Sequence, residues 1–114
     1  MDQGGNHEEL ARRAARWEKE GEYVQAISCY LKITSDMTNE RRFLEKVWMR
    51  AFELSGKFLP AKISRIAEVV AEKLAGIERH TTAAKVYLEI DDAKNAIGVL
   101  VSGKEWNKAK KVVI

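Results

Sequence analysis

The chain holds one cysteine, one proline and two histidines in 114 residues. A single thiol, Cys29, excludes an internal disulfide and fits a reducing compartment. With only His7 and His80 beside it, no pair has metal-ligand spacing, so no metal or other cofactor is expected. One proline and seven glycines leave little room for long loops. No apolar run approaches the ~20 residues that span a bilayer, so no membrane insertion is expected. The opening MDQGGNHEEL is polar and acidic, unlike a signal peptide. Alternating β-branched runs are scarce, which argues against strands. Without a strand there is no place for a strand-to-helix phosphate loop.

Charge of one sign is lacking as well. Twenty basic residues are mixed with 17 acidic ones, for a net +3. A nucleic-acid binder gathers its excess into a face or stripe. Nucleic acid is therefore not an expected partner, and any binding should vanish at physiological salt. What is abundant is ordinary for a folded domain: 46% hydrophobic and 32% charged residues.

Those hydrophobic residues recur at helical spacing. Residues 1–6 read as a disordered lead, with Asn6 as a cap and Glu9 as its capping-box acid. Leu10, Ala11, Ala14 and Trp17 form the first stripe, and Gly21 stops it. A second helix starts near Glu22 with Tyr23, Ala26, Ile27, Tyr30 and Leu31. A third, capped by Thr38 or Asn39 and ended by Gly56, carries Phe43, Leu44, Val47, Trp48, Ala51, Phe52 and Leu54. That band is wide enough to be packed on two sides. Pro60 opens the fourth. Its stripe Ile63, Ile66, Val70, Leu74, Ile77 argues for one helix to about Glu78, with a break near Val70 as the alternative. Thr81 and Asp91 read as caps of the fifth and sixth helices. Gly98, inside the sixth, costs about 1 kcal/mol relative to alanine, so a close neighbour is expected there. A seventh helix starts near Lys104.

A small signature recurs: a ring residue, two spacers, then alanine. It occurs as Tyr23–Ala26, Phe58–Ala61, His80–Ala83 and Trp106–Ala109. Rings would fill the wedge between helical hairpins, and alanines would let helices approach. Only the first interval, 35 residues, is near the tetratricopeptide period of 34; the next are 22 and 26. The expected fold is therefore all-α: about seven antiparallel helices in stacked hairpins, an irregular tetratricopeptide-like α-solenoid. Residues 7–114 form a single segment. Val112 and Ile114 would be left uncovered at its end, so the segment is expected to be a fragment truncated on that side.

Chemistry is thin. Cys29 has no base near it in sequence and reads as a small packing residue. His80 sits at a tag position. Asp91-Asp92 and the Glu18, Glu20, Glu22 set read as a cap and a solvated face rather than acid–base pairs. No catalytic residue is expected. The candidate partner surface is basic: Arg12, Arg13, Arg16 and Lys19, with Arg41 and Arg42, and Trp48 as an exposed anchor. A solvated face paired with Glu8, Glu9 and Glu20 is the competing reading of those cations.

The stretches RWEKEGEYVQAISCYLKI, ELSGKFLPAKISRIAEVV and AAKVYLEIDDAKNAIGVLVSGKEWNKAKKVV resemble the α-solenoid of intraflagellar transport proteins. The likeness is strongest to the large subunit type that begins with WD-repeat propellers and continues as a long tetratricopeptide-like rod. It covers about residues 9–113. The resemblance implies a non-enzymatic scaffold that acts in train assembly or cargo adaptation in the cytoplasm, the cilium or flagellum and its base. Its partners would be other protein subunits or cargo. The alternative is a free-standing tetratricopeptide-like adaptor that binds peptides and has no link to cilia.

Overall fold

A computed structural model describes residues 6–113, apart from the side chains of Trp106, Asn107, Lys111 and Val113. Residues 1–5 of the expected 1–6 lead, the Trp106 ring and Ile114 therefore fall outside the described residues, whereas Val112 is half-buried. Asn6 is already the first residue of a helix. Seven α-helices and one 3-10 turn are described, with no strand among the described residues. They fall into two compact units that divide between Ile63 and Ser64.

The first unit holds α1 (Asn6–Lys19), α2 (Tyr23–Leu31), α3 (Arg41–Phe58) and the 3-10 turn Pro60–Lys62. Glu8 and Glu9 in the first turn of α1 and Arg16 and Lys19 in its last turn complement the helix dipole. Gly21 closes α1 at φ +78°, where a side chain would be strained. Its N–H donates to the Glu18 carbonyl and that of Glu22 to the Trp17 carbonyl, which is a Schellman closure. The chain thus turns back within three residues, and α2 packs antiparallel on α1. Ala14 and Ala26, both fully buried, lie on these two helices. α3 packs on α2 and buries Leu44, Val47, Trp48, Ala51, Phe52, Leu54 and Ser55, a wide arc of its circumference. Gly56 does not end it. The helix runs on to Phe58, and a Cβ at Gly56 would lie 3.3 Å from Ile63 Cδ1.

The second unit is built from α4 (Ile63–Gly76), α5 (His80–Glu89), α6 (Ala93–Ser102) and α7 (Trp106–Val113). Pro60 starts the 3-10 turn that leads into α4, and α4 has no break at Val70. Each of α4, α5 and α6 then ends in the closure seen at Gly21, but without glycine. Glu78, Asp91 and Lys104 hold the left-handed position at φ 65°, 59° and 63°. Their N–H groups donate to Ala75, Leu88 and Val101, and those of Arg79, Asp92 and Glu105 reach Leu74, Tyr87 and Leu100. These turns lie thirteen residues apart, and so do the buried alanines that follow them, Ala83, Ala96 and Ala109.

Three expected caps shift by a residue or more. The N-cap of α3 is Glu40 rather than Thr38 or Asn39. Asp91 is the left-handed residue of the preceding turn, and Asp92 caps α6, its Oδ1 accepting from the Asn95 N–H at 3.1 Å. Thr81 lies inside α5, whose N-cap is Arg79. Thr81 Oγ1 instead accepts a 3.0 Å hydrogen bond from Lys108 Nζ of α7.

Gly98 has no close neighbour. It is exposed, and nothing lies within 4 Å of where a Cβ would stand. Gly98→Ala should therefore stabilise the chain by about 0.5–1 kcal/mol, because alanine restricts the unfolded chain and suits a helix interior. An unchanged or lowered urea midpoint would contradict this placement. The close approach is at Gly103 instead, where a Cβ would lie 2.4 Å from His80 Cγ and 2.8 Å from His80 Cβ.

Candidate functional site

The ring–x–x–Ala signature now has a local meaning. Tyr23, His80 and Trp106 each open a helix directly after a Schellman closure, and the alanine three residues on supplies the first N–H bonded within the helix. Ala26, Ala83 and Ala109 are buried. Tyr23 is half-buried and stacks on Phe58, with ring centroids 3.7 Å apart and planes 2° apart. Phe58 and Ala61 do not fit the pattern. Phe58 is the last residue of α3 and is 43% exposed, and Ala61 is exposed in the 3-10 turn. A ring and an alanine at that spacing belong to the signature only when a left-handed turn precedes them.

The expected basic surface divides. Arg12, Arg13, Arg16 and Lys19 are all exposed on α1. Arg13 pairs with Glu9 at 3.2 Å, an exposed pair of little energetic weight. Arg13 and Arg16 border a cleft with Lys32, the C-cap of α2, whereas Lys19 borders a different one with Lys57 of α3. Arg41 and Arg42 are exposed in the first turn of α3, where the helix dipole disfavours positive charge.

Trp48 is not a surface anchor. It is 2% exposed, and its Nε1–H donates to the Ile33 carbonyl at 2.9 Å. That carbonyl lies just past the end of α2, where helical partners run out. A buried indole supplies the missing donor.

Sequence reasoning missed a cluster of Glu18, Tyr30 and Arg50, and Glu18 is not on a solvated face but largely buried in it. One member comes from each helix of the first unit. Glu18 Oε1 accepts from Arg50 Nε at 3.1 Å and Nη2 at 2.6 Å, and Glu18 Oε2 accepts from the Tyr30 hydroxyl at 2.5 Å. Arg50 Nη1 also reaches Glu53 at 3.2 Å. Burial works to raise the Glu18 carboxyl, but the bonds from Arg50 and Tyr30 outweigh it and hold the group below its ordinary range. Burial, then the bond to Glu18, pushes the Tyr30 phenol up. No spacing in the sequence signals this cluster, because its members are up to 32 residues apart.

A depressed carboxylate contributes stability above its unfolded value and loses it as pH falls through the folded one. The cluster should therefore favour the folded state at neutral pH. The difference in urea midpoint between the parent and Glu18→Gln should be full at pH 7 and shrink below about pH 4. A difference that stays constant from pH 7 to pH 3 would remove Glu18 from this role.

Two open clefts flank the Glu18–Arg50 bridge. Ala11, Phe43, Lys46, Val47, Met49 and Arg50 border one of about 550 Å³. Ala15, Lys19, Arg50, Leu54, Lys57 and Phe58 border the other, of about 370 Å³. The second unit carries a more acidic cleft of about 420 Å³, where Glu68, Asp91 and Asp92 stand with Arg65 around Tyr87. Burial and then the carboxylates of Glu72, Glu68 and Asp92 raise that phenol. Cys29 is a buried free thiol. No group of three or more His, Cys, Asp or Glu side chains is poised for a metal among the described residues.

Consecutive short helices, Schellman turns and buried alanines at the approach points define an all-α, tetratricopeptide-like segment. No family model matches the chain. Relatives do. The chain is 44% identical over 110 residues, 96% of its length, to the mouse "Intraflagellar transport protein 172 homolog". It is 30% identical over 107 residues to "Intraflagellar transport protein 172" of Chlamydomonas reinhardtii and 29% over 103 residues to "Intraflagellar transport protein osm-1" of Caenorhabditis elegans. The chain spans about 6% of the length of these relatives. Over that share it is a homologue of one segment of the proteins named intraflagellar transport protein 172.

Proposed function

We propose that this chain serves as a protein–protein interaction scaffold within an intraflagellar transport subunit, in train assembly or cargo adaptation. It works in the cytoplasm, in the cilium or flagellum and at its base, on other protein subunits or cargo. The observation that carries this reading is the identity of 42–44% to vertebrate relatives over nearly the whole chain. The architecture supports it. Within each unit, short helices closed by tight turns present packed helical faces, which suit protein docking. No helix among the described residues is long and apolar enough to cross a membrane.

The test is a segment exchange. This chain replaces the matching stretch of the mouse relative in cells that lack that protein. Cilia of normal length are the expected result. A chimera that is expressed and folded yet leaves the cells without cilia would overturn the proposal. A second reading, a tetratricopeptide-like peptide-binding adaptor unrelated to cilia, is favoured by the open clefts between α1 and α3. Peptide binding together with failure of the exchange would select it.

A further inference from the structure

The two clefts beside Glu18 and Arg50 are parts of one seam. α1 and α3 run side by side in the same direction. His7 meets Phe43 edge-on at 5.2 Å near their starts, and Glu18 meets Arg50 further along. Ala11 and Ala15 of α1 are too small to fill the space between the two helices, so each lies in a cleft. Both clefts include Arg50, which places them on either side of a single ion pair. From Phe43 to Phe58 the seam follows α3 for roughly 22 Å at the rise of an α-helix. That length seats about four turns of a partner helix.

The chemistry of the seam is lopsided. Its floor is apolar and part-open: Phe43 and Met49 are half-buried, and Phe58 is 43% exposed. The carboxylates that line its two clefts, Glu53 and Glu18, are both held by Arg50, and Glu40 stands beside His7 at its start. Lys19, Lys46 and Lys57 are exposed, and none has a carboxylate within ion-pair distance among the described residues. An apolar floor between uncompensated cations favours apolar side chains flanked by negative charge.

We infer that the α1–α3 seam is a docking surface for an acidic, amphipathic helical segment of another protein, with Lys19, Lys46 and Lys57 facing its carboxylates. Its apolar stripe lies over Phe43 and Met49, which line the same cleft. This deepens the scaffold reading and rests on it only in requiring a protein partner. The site is assigned by the charge and shape of the seam, whatever the cellular pathway.

A display library of random helical 16-residue peptides, panned against the whole chain, tests it. Enriched clones should carry net negative charge and apolar residues at i, i+3, i+4 and i+7. Their affinity should fall as salt rises, because the contacts are exposed. The double variant Lys46→Glu, Lys57→Glu should weaken them by about tenfold or more. Met49→Glu, which leaves every lysine in place, should weaken them as well, and circular dichroism melting checks that each variant folds. Amide shifts on peptide addition should concentrate in α1 and α3. Enrichment of basic or uncharged clones, no enrichment at all, or clones indifferent to these variants would overturn the inference. So would a dimer that buries the seam, or tighter binding to phosphatidylserine vesicles or RNA than to the enriched peptides. Failure of the ciliary exchange with intact peptide binding would instead strike only the transport reading.

Discussion

Trp48→Ala should destabilise the first unit by about 3–5 kcal/mol, the range for truncating a large buried aromatic. Two losses combine. The indole is 2% exposed, so its removal opens a cavity beneath α2 and α3. Its Nε1–H also satisfies the Ile33 carbonyl beyond the end of α2. Trp48→Phe separates the two, because it keeps most of the volume and removes the donor. It should cost about 1–3 kcal/mol, the penalty for a buried acceptor left without a partner. Urea unfolding followed by circular dichroism measures both. If Trp48→Ala unfolds at the same midpoint as the parent, the ring is solvated and belongs to a surface. Tyr23→Ala should cost less than Trp48→Ala, since Tyr23 is half-buried and its stacking partner Phe58 is exposed.

Gly103→Ala should be the most damaging single-methyl change in the second unit. The added carbon would lie 2.4 Å from His80 Cγ, 2.6 Å from Nδ1 and 2.8 Å from Cβ. The last distance matters most, because a Cβ cannot swing away as a side-chain tip can. The backbone of the α6–α7 turn or of the first turn of α5 must shift. Overpacking of this kind costs about 1–3 kcal/mol. Left-handed geometry has no part in it, since Gly103 sits at φ −87°. His80→Gly removes all three opposing atoms, so adding it to Gly103→Ala should recover stability. The coupling between the two changes should exceed about 0.5 kcal/mol in a double-mutant cycle. Strict additivity would show that His80 and Gly103 do not touch.

The helices were legible in the sequence because their apolar stripes are continuous and long. Gly21 was legible as a stop because it has the residue type that a left-handed closure favours. The equivalent closures at Glu78, Asp91 and Lys104 were not, because their residue types do not advertise that conformation. Asp91 was the most misleading, since aspartate is also a common cap and a true cap, Asp92, follows it. The Phe58–Ala61 tag shows a related limit. Spacing alone could not register that Phe58 sits inside a running helix rather than after a turn. Trp48 lay in a band so wide that the pattern could not say which members face solvent. The Glu18–Tyr30–Arg50 cluster depends on three helices meeting, and local periodicity carries no information about that. The seam was only half visible. Lys19 stood out within a run of cations, but Lys46 and Lys57 gain their meaning from where α3 lies beside α1.

The thirteen-residue recurrence of Glu78, Asp91 and Lys104 sets a rule of parity. Each module is one helix plus one reversal, so it flips the direction in which the chain travels. Duplicating or deleting a single module would send every later helix the opposite way and turn its buried side outward. Two modules restore the heading. Changes in length through this region should therefore be accepted in steps of twenty-six residues and rejected in steps of thirteen, as in a folded ruler that lies flat again only after an even number of bends.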